Sequence, residues 1–208
     1  MSTALSHRSP ARREKLIAAA ITVIAEVGLE KATTRKIAEK AQLPLGSVHY
    51  AFVDKDDLIN AVIDYVSDQM DALQREALRV RSGTAVRDPA AALHRALTDF
   101  WSLVEADEAI QLVLYELTLY CLRRPASRGL AERQYERYTA TVREAFFSAF
   151  ADAGEMSEVV IAEISRLAVA GLDGLILQYL IHRDRDRSRT DLQNLEHSLG
   201  LLLNAIAG

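Results

Sequence analysis

The chain has 208 residues, of which 50% are hydrophobic and 26% are charged, and it contains one cysteine. This length and apolar content suffice for one or two globular domains, and they exclude disordered, collagen-like and disulfide-stapled proteins. A formal net charge of −4 excludes a protein that is basic over its whole surface.

The first predicted helix is amphipathic and ends at the turn formed by Gly28 and Leu29. Its apolar residues recur at helical spacing from Ile17 to Val27. The basic residues before the apolar run of residues 16–25 also suggest a secretory signal, but no small-residue cleavage pattern follows. The apolar run of residues 167–181 contains an aspartate and is shorter than the ~18 residues typical of a membrane span. We therefore expect a cytoplasmic protein without a membrane partner.

Three further helices are predicted in the first third of the chain. Thr33 can cap a short helix that continues to Ala41, and residues 42–44 break it before a second short helix at residues 45–51. Asp54 can cap a long fourth helix that ends near Arg81. Asp57 then occupies its N3 position, and Val53 with Leu58 can form a hydrophobic staple.

The rest of the chain also predicts helices with short connections, so the fold class is all-α. A helix begins at Pro89 after a cap at Asp88, and a largely apolar helix follows at residues 109–122, interrupted by Gln111, Glu116 and Thr118. Another helix runs to about Ala153, and the next is capped by Ser157. Residues 182–189 predict a solvated loop, and Thr190 with Gln193 has capping-box spacing for the last helix.

The two short helices and their three-residue turn have the proportions of a helix-turn-helix unit. Gly46 and Ser47 permit close approach to DNA, while His49 and Tyr50 can reach phosphate oxygens. The charge distribution also favours DNA binding by this segment, because residues 1–53 contain eight Lys or Arg against four Asp or Glu. We therefore expect a small basic DNA-reading head on an acidic body.

Residues 12–62, RREKLIAAAITVIAEVGLEKATTRKIAEKAQLPLGSVHYAFVDKDDLINAV, resemble the DNA-binding domain of the tetracycline-repressor (TetR) family of bacterial regulators. The resemblance lies in the segments VGLEKATTRKIA, LGSVHYAF and DKDDL, which occur in the family's order. It implies an N-terminal helix-turn-helix three-helix domain, joined by a long fourth helix to a C-terminal helical domain for ligand binding and dimerisation. The corresponding boundaries here are residues 1–55 and 56–208.

The resemblance also implies roles for individual residues at the DNA. Contacts with the DNA backbone are expected from Thr33 and Arg35 at the start of the second helix and from Lys55 at the start of the fourth. In the third helix, base-edge contacts are expected from Leu45, Gly46 and Ser47. Phosphate contacts are expected from His49 and Tyr50. Phe52 matches a core aromatic residue. Gln42, Pro44 and Ala51 depart from the family pattern, and a left-handed Gln42 would cost on the order of 1 kcal/mol where the family has glycine.

The second region offers residues for a small-molecule effector site. Aromatic walls and a few polar groups are typical of such sites, and the candidates are Met70, Phe100, Trp101, Gln111, Tyr115, Tyr120 and Phe146. Ordinary core packing is the alternative for each of them. We expect that the protein is not an enzyme and binds no cofactor or metal, because the spacings of metal ligands and of phosphate-binding loops are missing from the sequence. Cys121 is either a buried structural thiol or a redox sensor.

The last two helices carry apolar stripes that one polypeptide does not obviously cover, formed by Ala168, Gly171, Leu172, Leu175, Leu199 and Leu202. Small residues allow close helix approach, and the resemblance likewise implies a homodimer through these helices. The predicted function is a ligand-responsive DNA-binding transcriptional regulator, a repressor that a small molecule releases from double-stranded operator DNA. The alternative is a helical ligand-binding or adaptor protein that has lost DNA binding, as the departures at Gln42, Pro44 and Ala51 allow.

Overall fold

A computed structural model describes residues 10–80, 89–150 and 157–207, and these residues form helices and no strand. The helices are α1 (Pro10–Val27), α2 (Thr34–Lys40), α3 (Gly46–Ala51), α4 (Lys55–Val80), α5 (Pro89–Ala106), α6 (Glu108–Leu122), α7 (Arg128–Phe150), α8 (Glu158–His182) and α9 (Arg185–Ala207), with a 3-10 turn at Pro125–Ser127 before α7. The all-α prediction is confirmed. No helix in the described ranges combines the length and apolarity that crossing a membrane requires. The predicted cap at Asp88 and the predicted helix ends near Arg81 and Ala153 lie outside the described residues.

Side-chain caps fix the helix starts that the sequence predicted. The Thr33 hydroxyl accepts a hydrogen bond from the backbone N–H of Lys36 at 3.3 Å and so begins α2. At the start of α4, Asp54 Oδ1 accepts from the N–H of Asp57 at 2.8 Å, and Asp57 Oδ2 accepts from the N–H of Val53 at 2.9 Å. The predicted staple is wrong, because Val53 is 89% exposed and cannot cover Leu58. The two carboxylates therefore satisfy backbone N–H groups at the start of α4 without a hydrophobic staple.

The start of α9 lies six residues earlier than predicted, since the N-cap is Asp184 and not Thr190. The segment predicted as a solvated loop contributes only Arg183 and Asp184 to the connection. Arg183 is left-handed, with φ of 52°, and Asp184 Oδ1 accepts from the N–H of Arg187 at 3.0 Å as the N-cap. Thr190, predicted as a cap, lies inside the helix and donates to the carbonyl of Asp186. The alternating charges are therefore the solvent-facing side of a first helical turn, not a loop.

The described residues divide into two compact units. The first contains α1 to α3, α4 as far as residue 69, and residues 109–134 of α6 and α7. Its core is aliphatic, with Phe52 as the aromatic member, and includes Leu16, Ile17, Val23, Ile24, Ile37, Val48, Ile59, Val62 and Leu117. The second unit contains the described parts of residues 70–108 and 135–208, in which α9 packs against both α5 and α8.

The stripe predicted to face a second copy is largely covered by the chain itself. Ala168 and Leu172 of α8 and Leu199 of α9 are buried, and Gly171 lies against Leu195 where α8 meets α9. Leu175 is half-buried, and only Leu202 of the predicted stripe is exposed. That part of the prediction is wrong, because intrachain packing of α8 on α9 already uses the small residues.

Gly171 supports a direct test of this packing. A Cβ added at residue 171 would lie 2.5 Å from Cδ1 of Leu195 and 2.9 Å from its Cδ2. We expect the free energy of unfolding of Gly171→Ala to be about 1–3 kcal/mol lower than that of Gly129→Ala, because both variants gain the helix propensity of alanine and only at residue 171 must Leu195 move. Urea denaturation followed by circular dichroism measures it. Gly129→Ala is the control, since no described atom lies within 4 Å of its added Cβ, and equal stability of the two variants would contradict the expectation.

Candidate DNA-binding site

The third helix presents one exposed face and is held by two buried side chains. Val48 and Phe52 are buried and anchor the helix to the first unit. Leu45, Gly46, His49 and Tyr50 are exposed, and Ser47 is half-buried. Positions 45, 46, 49 and 50 are neighbours on one side of a helix, since side chains four residues apart share a face. The predicted DNA-facing residues of this helix therefore lie together on a surface that the chain leaves open.

Gly46 and Tyr50 lie one turn apart on this surface. A Cβ at residue 46 would be 3.8 Å from Cε2 of Tyr50, so the tyrosine ring lies over the glycine backbone. The ring remains 69% exposed. The exposed ring of Tyr50 thus covers part of the Gly46 backbone at the start of α3.

The two predicted contacts at α2 are exposed and are also engaged within the chain. Thr33 uses its hydroxyl to cap α2. The Arg35 guanidinium lies 2.9 Å from the carboxylate of Glu39, one turn further along the helix. An exposed pair of this type is worth only about 0.3–0.5 kcal/mol, so it does not hold the guanidinium away from a phosphate.

The turn between α2 and α3 is built without the glycine of the family pattern. Gln42 is left-handed, with φ of 53°, a conformation that glycine adopts at lower cost. The N–H of Gln42 donates to the carbonyl of Glu39 at 3.0 Å, and the N–H of Leu43 donates to that of Ala38 at 2.9 Å. These two bonds form a Schellman motif, which ends α2 and directs the chain into α3.

Gln42→Gly is expected to raise the free energy of unfolding by up to about 1 kcal/mol, because glycine adopts the left-handed conformation without its steric cost. Thermal unfolding followed by circular dichroism measures the change. Gln42→Ala removes the same side chain but keeps a Cβ, so we expect no stabilisation from it. A stabilising alanine would show that the side chain, not the backbone, carries the cost.

Lys55 lies at the start of α4 and points toward the turn between α1 and α2. Its Nζ donates a hydrogen bond to the carbonyl oxygen of Leu29 at 3.1 Å and lies 5.4 Å from the ring centroid of Tyr120. The predicted contact of Lys55 with the DNA backbone stays a prediction. Within the protein, the ammonium ties the start of α4 to the preceding turn.

Sequence reasoning missed a carboxylate of α6 that holds this same turn. Glu116 accepts a hydrogen bond from the backbone N–H of Leu29 at 2.5 Å. Gly28 is left-handed, with φ of 78°, and this backbone conformation, not a lack of space, favours glycine at the turn, because a Cβ there would lie at an ordinary contact distance of 3.6 Å from Glu116 Oε1. The sequence signal for Glu116 is its charge in a helix that is otherwise largely apolar, which indicates that the carboxylate has a partner. Its partner, 87 residues away along the chain, has no sequence signal.

Glu116 therefore predicts a measurable stability effect. A charged acceptor contributes about 1 kcal/mol more than a neutral one, so Glu116→Gln should lower the free energy of unfolding by about that amount. Glu116→Ala should cost more, because the N–H of Leu29 loses its acceptor. Urea unfolding tests both against Glu132→Gln, an exposed residue paired one turn away with Arg128, for which a change below about 0.5 kcal/mol is expected.

Tyr120 belongs to a polar cluster at the start of α4. Its hydroxyl donates to Asp56 Oδ1 at 2.9 Å, and the hydroxyl of Ser127 donates to Asp56 Oδ2 at 2.6 Å. The Arg124 guanidinium lies 3.6 Å from the centroid of the tyrosine ring. Burial, followed by the hydrogen bond to Asp56, raises the pKa of Tyr120 above its ordinary value. The phenol therefore remains protonated and acts as a donor that joins α6 to α4.

Cys121 follows directly in the chain and is buried. Burial raises the pKa of its thiol, the charge of Asp56 raises it further, and Arg124 opposes both. The thiolate, which is the reactive form, is therefore disfavoured at neutral pH. Of the two alternatives left open by the sequence, these surroundings favour the structural thiol.

The predicted effector residues are divided between the two units. Gln111, Tyr115 and Tyr120 lie on α6 in the first unit, with Gln111 buried and the two tyrosines half-buried; Phe100, Trp101 and Phe146 lie in the second unit, with Trp101 and Phe146 buried. The side chain of Met70 lies outside the described residues. An effector role for these seven residues stays a prediction.

Comparison with known proteins identifies both halves of the chain. The N-terminal domain of bacterial regulatory proteins of the tetR family matches residues 16–62, and a tetracyclin repressor-like C-terminal domain matches residues 85–203. The nicotine-responsive transcriptional repressor HdnoR of Paenarthrobacter nicotinovorans is 30% identical over 185 residues, which are 88% of this chain and 91% of the relative.

Solved structures agree with these matches. The multidrug binding protein EbrR, in its complex with imidazole, is 29% identical, with a TM-score of 0.61 and coverage of 91% of this chain and 92% of that protein. A TetR transcription regulator of Haloarcula marismortui has a TM-score of 0.71 at 18% identity, covers 95% of this chain and 98% of that protein, and so supports the fold alone.

Proposed function

The chain belongs to the tetracycline-repressor family of bacterial regulatory proteins, and on this premise we propose that it represses transcription from an operator that it binds through α3. It is thus a DNA-binding transcriptional regulator that responds to a ligand, and the family consists of regulators, not enzymes. The observation that carries the DNA-binding role is the open face of α3, where Gly46, His49 and Tyr50 are exposed while Val48 and Phe52 anchor the helix.

The division of labour follows the boundaries suggested by the sequence. Residues 1–55 bind DNA, with Thr33 and Arg35 at the backbone, residues 45–47 at base edges, and His49 and Tyr50 at phosphates. Residues 56–208 bind the effector and form the dimer. Lys55, whose ammonium donates to Leu29, reaches the DNA backbone by exchanging that hydrogen bond for one to a phosphate.

The homodimer is proposed to form through the exposed apolar side of α8 and the end of α9. Leu167, Ala170, Gly174, Leu177 and Ile181 are exposed and fall on one stripe of α8 at helical spacing; Leu201 and Leu202 of α9 are also exposed. A second copy would remove these side chains from water. A twofold dimer would also supply two recognition helices about one DNA turn, roughly 34–36 Å, apart.

Selection from a random DNA pool at moderate salt tests the proposal. We expect the purified chain to enrich a pseudo-palindromic sequence, with half-sites spaced by about one helical turn. Failure to enrich any sequence would overturn the DNA-binding role. Sedimentation at micromolar concentration tests the dimer separately, and a monomer there would overturn it.

The effector is proposed to be a small organic molecule that weakens operator binding. One relative is named as nicotine-responsive, and EbrR was solved with imidazole, malachite green, ethidium and proflavin. We propose that the effector acts by favouring a conformation in which α4 shifts and takes the recognition helices out of register. A coupling of about 1–3 kcal/mol would weaken operator binding about 5- to 150-fold, and operator release by any of these five compounds is the first test.

A further inference from the structure

Two buried polar atoms on the same face of α5 have no hydrogen-bond partner among the described residues. They are the indole Nε1 of Trp101, a side chain that is only 3% exposed, and the carboxylate Oε1 of Glu105. The two residues are four apart in the helix, so their side chains are neighbours. Buried donors and acceptors in native proteins are almost always satisfied by protein, water, an ion or a ligand. A donor and a charged acceptor left open side by side therefore indicate a missing partner.

The aromatic surroundings of these atoms are fixed from α8. The ring of Tyr179 packs edge-on against Trp101, with 5.8 Å between the ring centroids and 63° between the ring planes. The hydroxyl of Tyr179 donates to Oε1 of Glu108 at 2.7 Å, which holds the ring in place. Faces of Trp and Tyr rings attract organic cations, most strongly where water is excluded. A cation bound to Glu105 would thus lie beside two aromatic rings.

Arg185 already lies near this site, since it hydrogen-bonds to Tyr179 and interacts electrostatically with Glu105. The carboxylate of Glu105 still has one oxygen without a hydrogen-bond partner among the described residues. Its Oε2 binds the guanidinium of Arg189 at 3.1 Å, and Arg189 is itself 58% exposed. The next carboxylate, Glu108, is already engaged by Tyr179 and lies 4.0 Å from Arg183. A carboxylate offers about four acceptor positions, so Oε1 can accept from a ligand while Arg189 remains in place on the solvent side.

We propose that Trp101, Glu105 and Tyr179 form the binding site for a small protonated amine that also carries a hydrogen-bond acceptor. The ammonium group donates to Oε1 of Glu105, the ligand acceptor receives the indole N–H of Trp101, and the two rings flank the cation. This inference rests on the proposed function in that such an amine is the class of effector that the regulator senses. It adds Glu105 and Tyr179 to the predicted effector residues and assigns the charge of the ligand.

Trp101 is the only tryptophan of the chain, so its fluorescence reports directly on this site. The full chain, without DNA, is titrated with 3-(aminomethyl)pyridine, which has both a protonated amine and a ring acceptor. We expect a saturable change in emission beyond that of free N-acetyltryptophanamide. Benzylamine, which lacks the acceptor, should bind about tenfold more weakly, and the neutral 3-pyridinemethanol should bind more weakly still, since hydrogen bonds to charged groups are the stronger ones.

Variants assign the effect to the carboxylate. Glu105→Gln should bind 3-(aminomethyl)pyridine at least about tenfold more weakly, with no matching change for 3-pyridinemethanol. Glu196→Gln is the matched control, because it removes a carboxylate of α9 that pairs with His94. His94 lies on α5, about two turns before Trp101. If Glu105→Gln fails to give a cooperative thermal transition, Glu105→Asp replaces it and should bind more weakly than the parent while retaining the preference for the amine.

Three outcomes would overturn the inference: no saturable change in emission, equal binding by the neutral alcohol, or unchanged binding by Glu105→Gln. None of them involves DNA. A chain that selects an operator and ignores the amine therefore refutes this site alone, whereas a chain that binds the amine and selects no operator refutes the proposed function.

Discussion

Tyr50→Ala is expected to weaken operator binding by about 100-fold. Tyr50 lies on the exposed face of α3, with its ring over the backbone of Gly46, and its hydroxyl can donate to a phosphate. A hydrogen bond to a charged group contributes about 1.5 kcal/mol or more, and a dimer loses it at both half-sites, which gives about 3 kcal/mol. The measurement is the Kd for the selected operator, at one fixed salt concentration.

Two further variants separate the parts of this effect. Tyr50→Phe removes only the hydroxyl and should reproduce most of the loss in affinity. Val53→Ala is the control, because Val53 follows α3 and is 89% exposed, and it should leave the Kd unchanged. Tyr50 carries no charge, so its removal should leave the salt dependence intact. Arg35→Ala should instead lower the slope of log K against log salt by about 0.9 per lost phosphate contact. Unchanged affinity for Tyr50→Ala would show that Tyr50 makes no contact that stabilises the complex with the operator.

The parts of the head that follow local rules could be predicted from the sequence. Thr33 and Asp54 each bond to a backbone N–H three residues ahead, so the signal and the structure lie within one turn. The left-handed conformation of Gln42 was suggested only by the glycine that the family has at this position, because glutamine itself gives no signal for it. These local devices fix the lengths and relative entry points of α2, α3 and α4.

Contacts between distant segments could not be predicted in the same way. The bond of Glu116 to the turn at Leu29 and the bond of Tyr120 to Asp56 join residues 87 and 64 apart. The sequence shows only that Glu116, together with Gln111 and Thr118, interrupts an apolar helix that also contains Tyr120. Their partners are decided by how α6 packs in the first unit, and no periodicity records that. The predicted start of α9 was wrong for a related reason, since alternating charges fit both a solvated loop and an exposed helical surface.

The apolar faces of α8 and α9 show the same limit at the level of packing. Periodicity identifies which residues are apolar, but not which of them the chain itself covers. Ala168, Leu172 and Leu199 are buried within the chain, whereas Leu177 and Leu202 remain exposed. A second copy is therefore inferred from what intrachain packing leaves uncovered, and the small residue that matters for it is Gly174, not Gly171.

Gly174→Asp is expected to raise the dimer dissociation constant by more than about 100-fold. No described atom lies within 4 Å of a Cβ added at residue 174, so the aspartate fits within one protomer. In the proposed dimer the two carboxylates would be buried in the apolar stripe of α8, and like charges across an interface cost several kcal/mol. Sedimentation at several concentrations measures the change.

Gly129→Asp is the matched control, because residue 129 is an equally open helical glycine in the other unit. Both variants carry the modest helix-propensity difference between glycine and aspartate, so only the position differs. If Gly174→Asp remains as dimeric as Gly129→Asp, α8 does not pair through this stripe. If it dissociates, its operator affinity must fall as well, because a monomer places one recognition helix on the DNA and loses the second half-site, and that fall links the stripe on α8 to the function of α3.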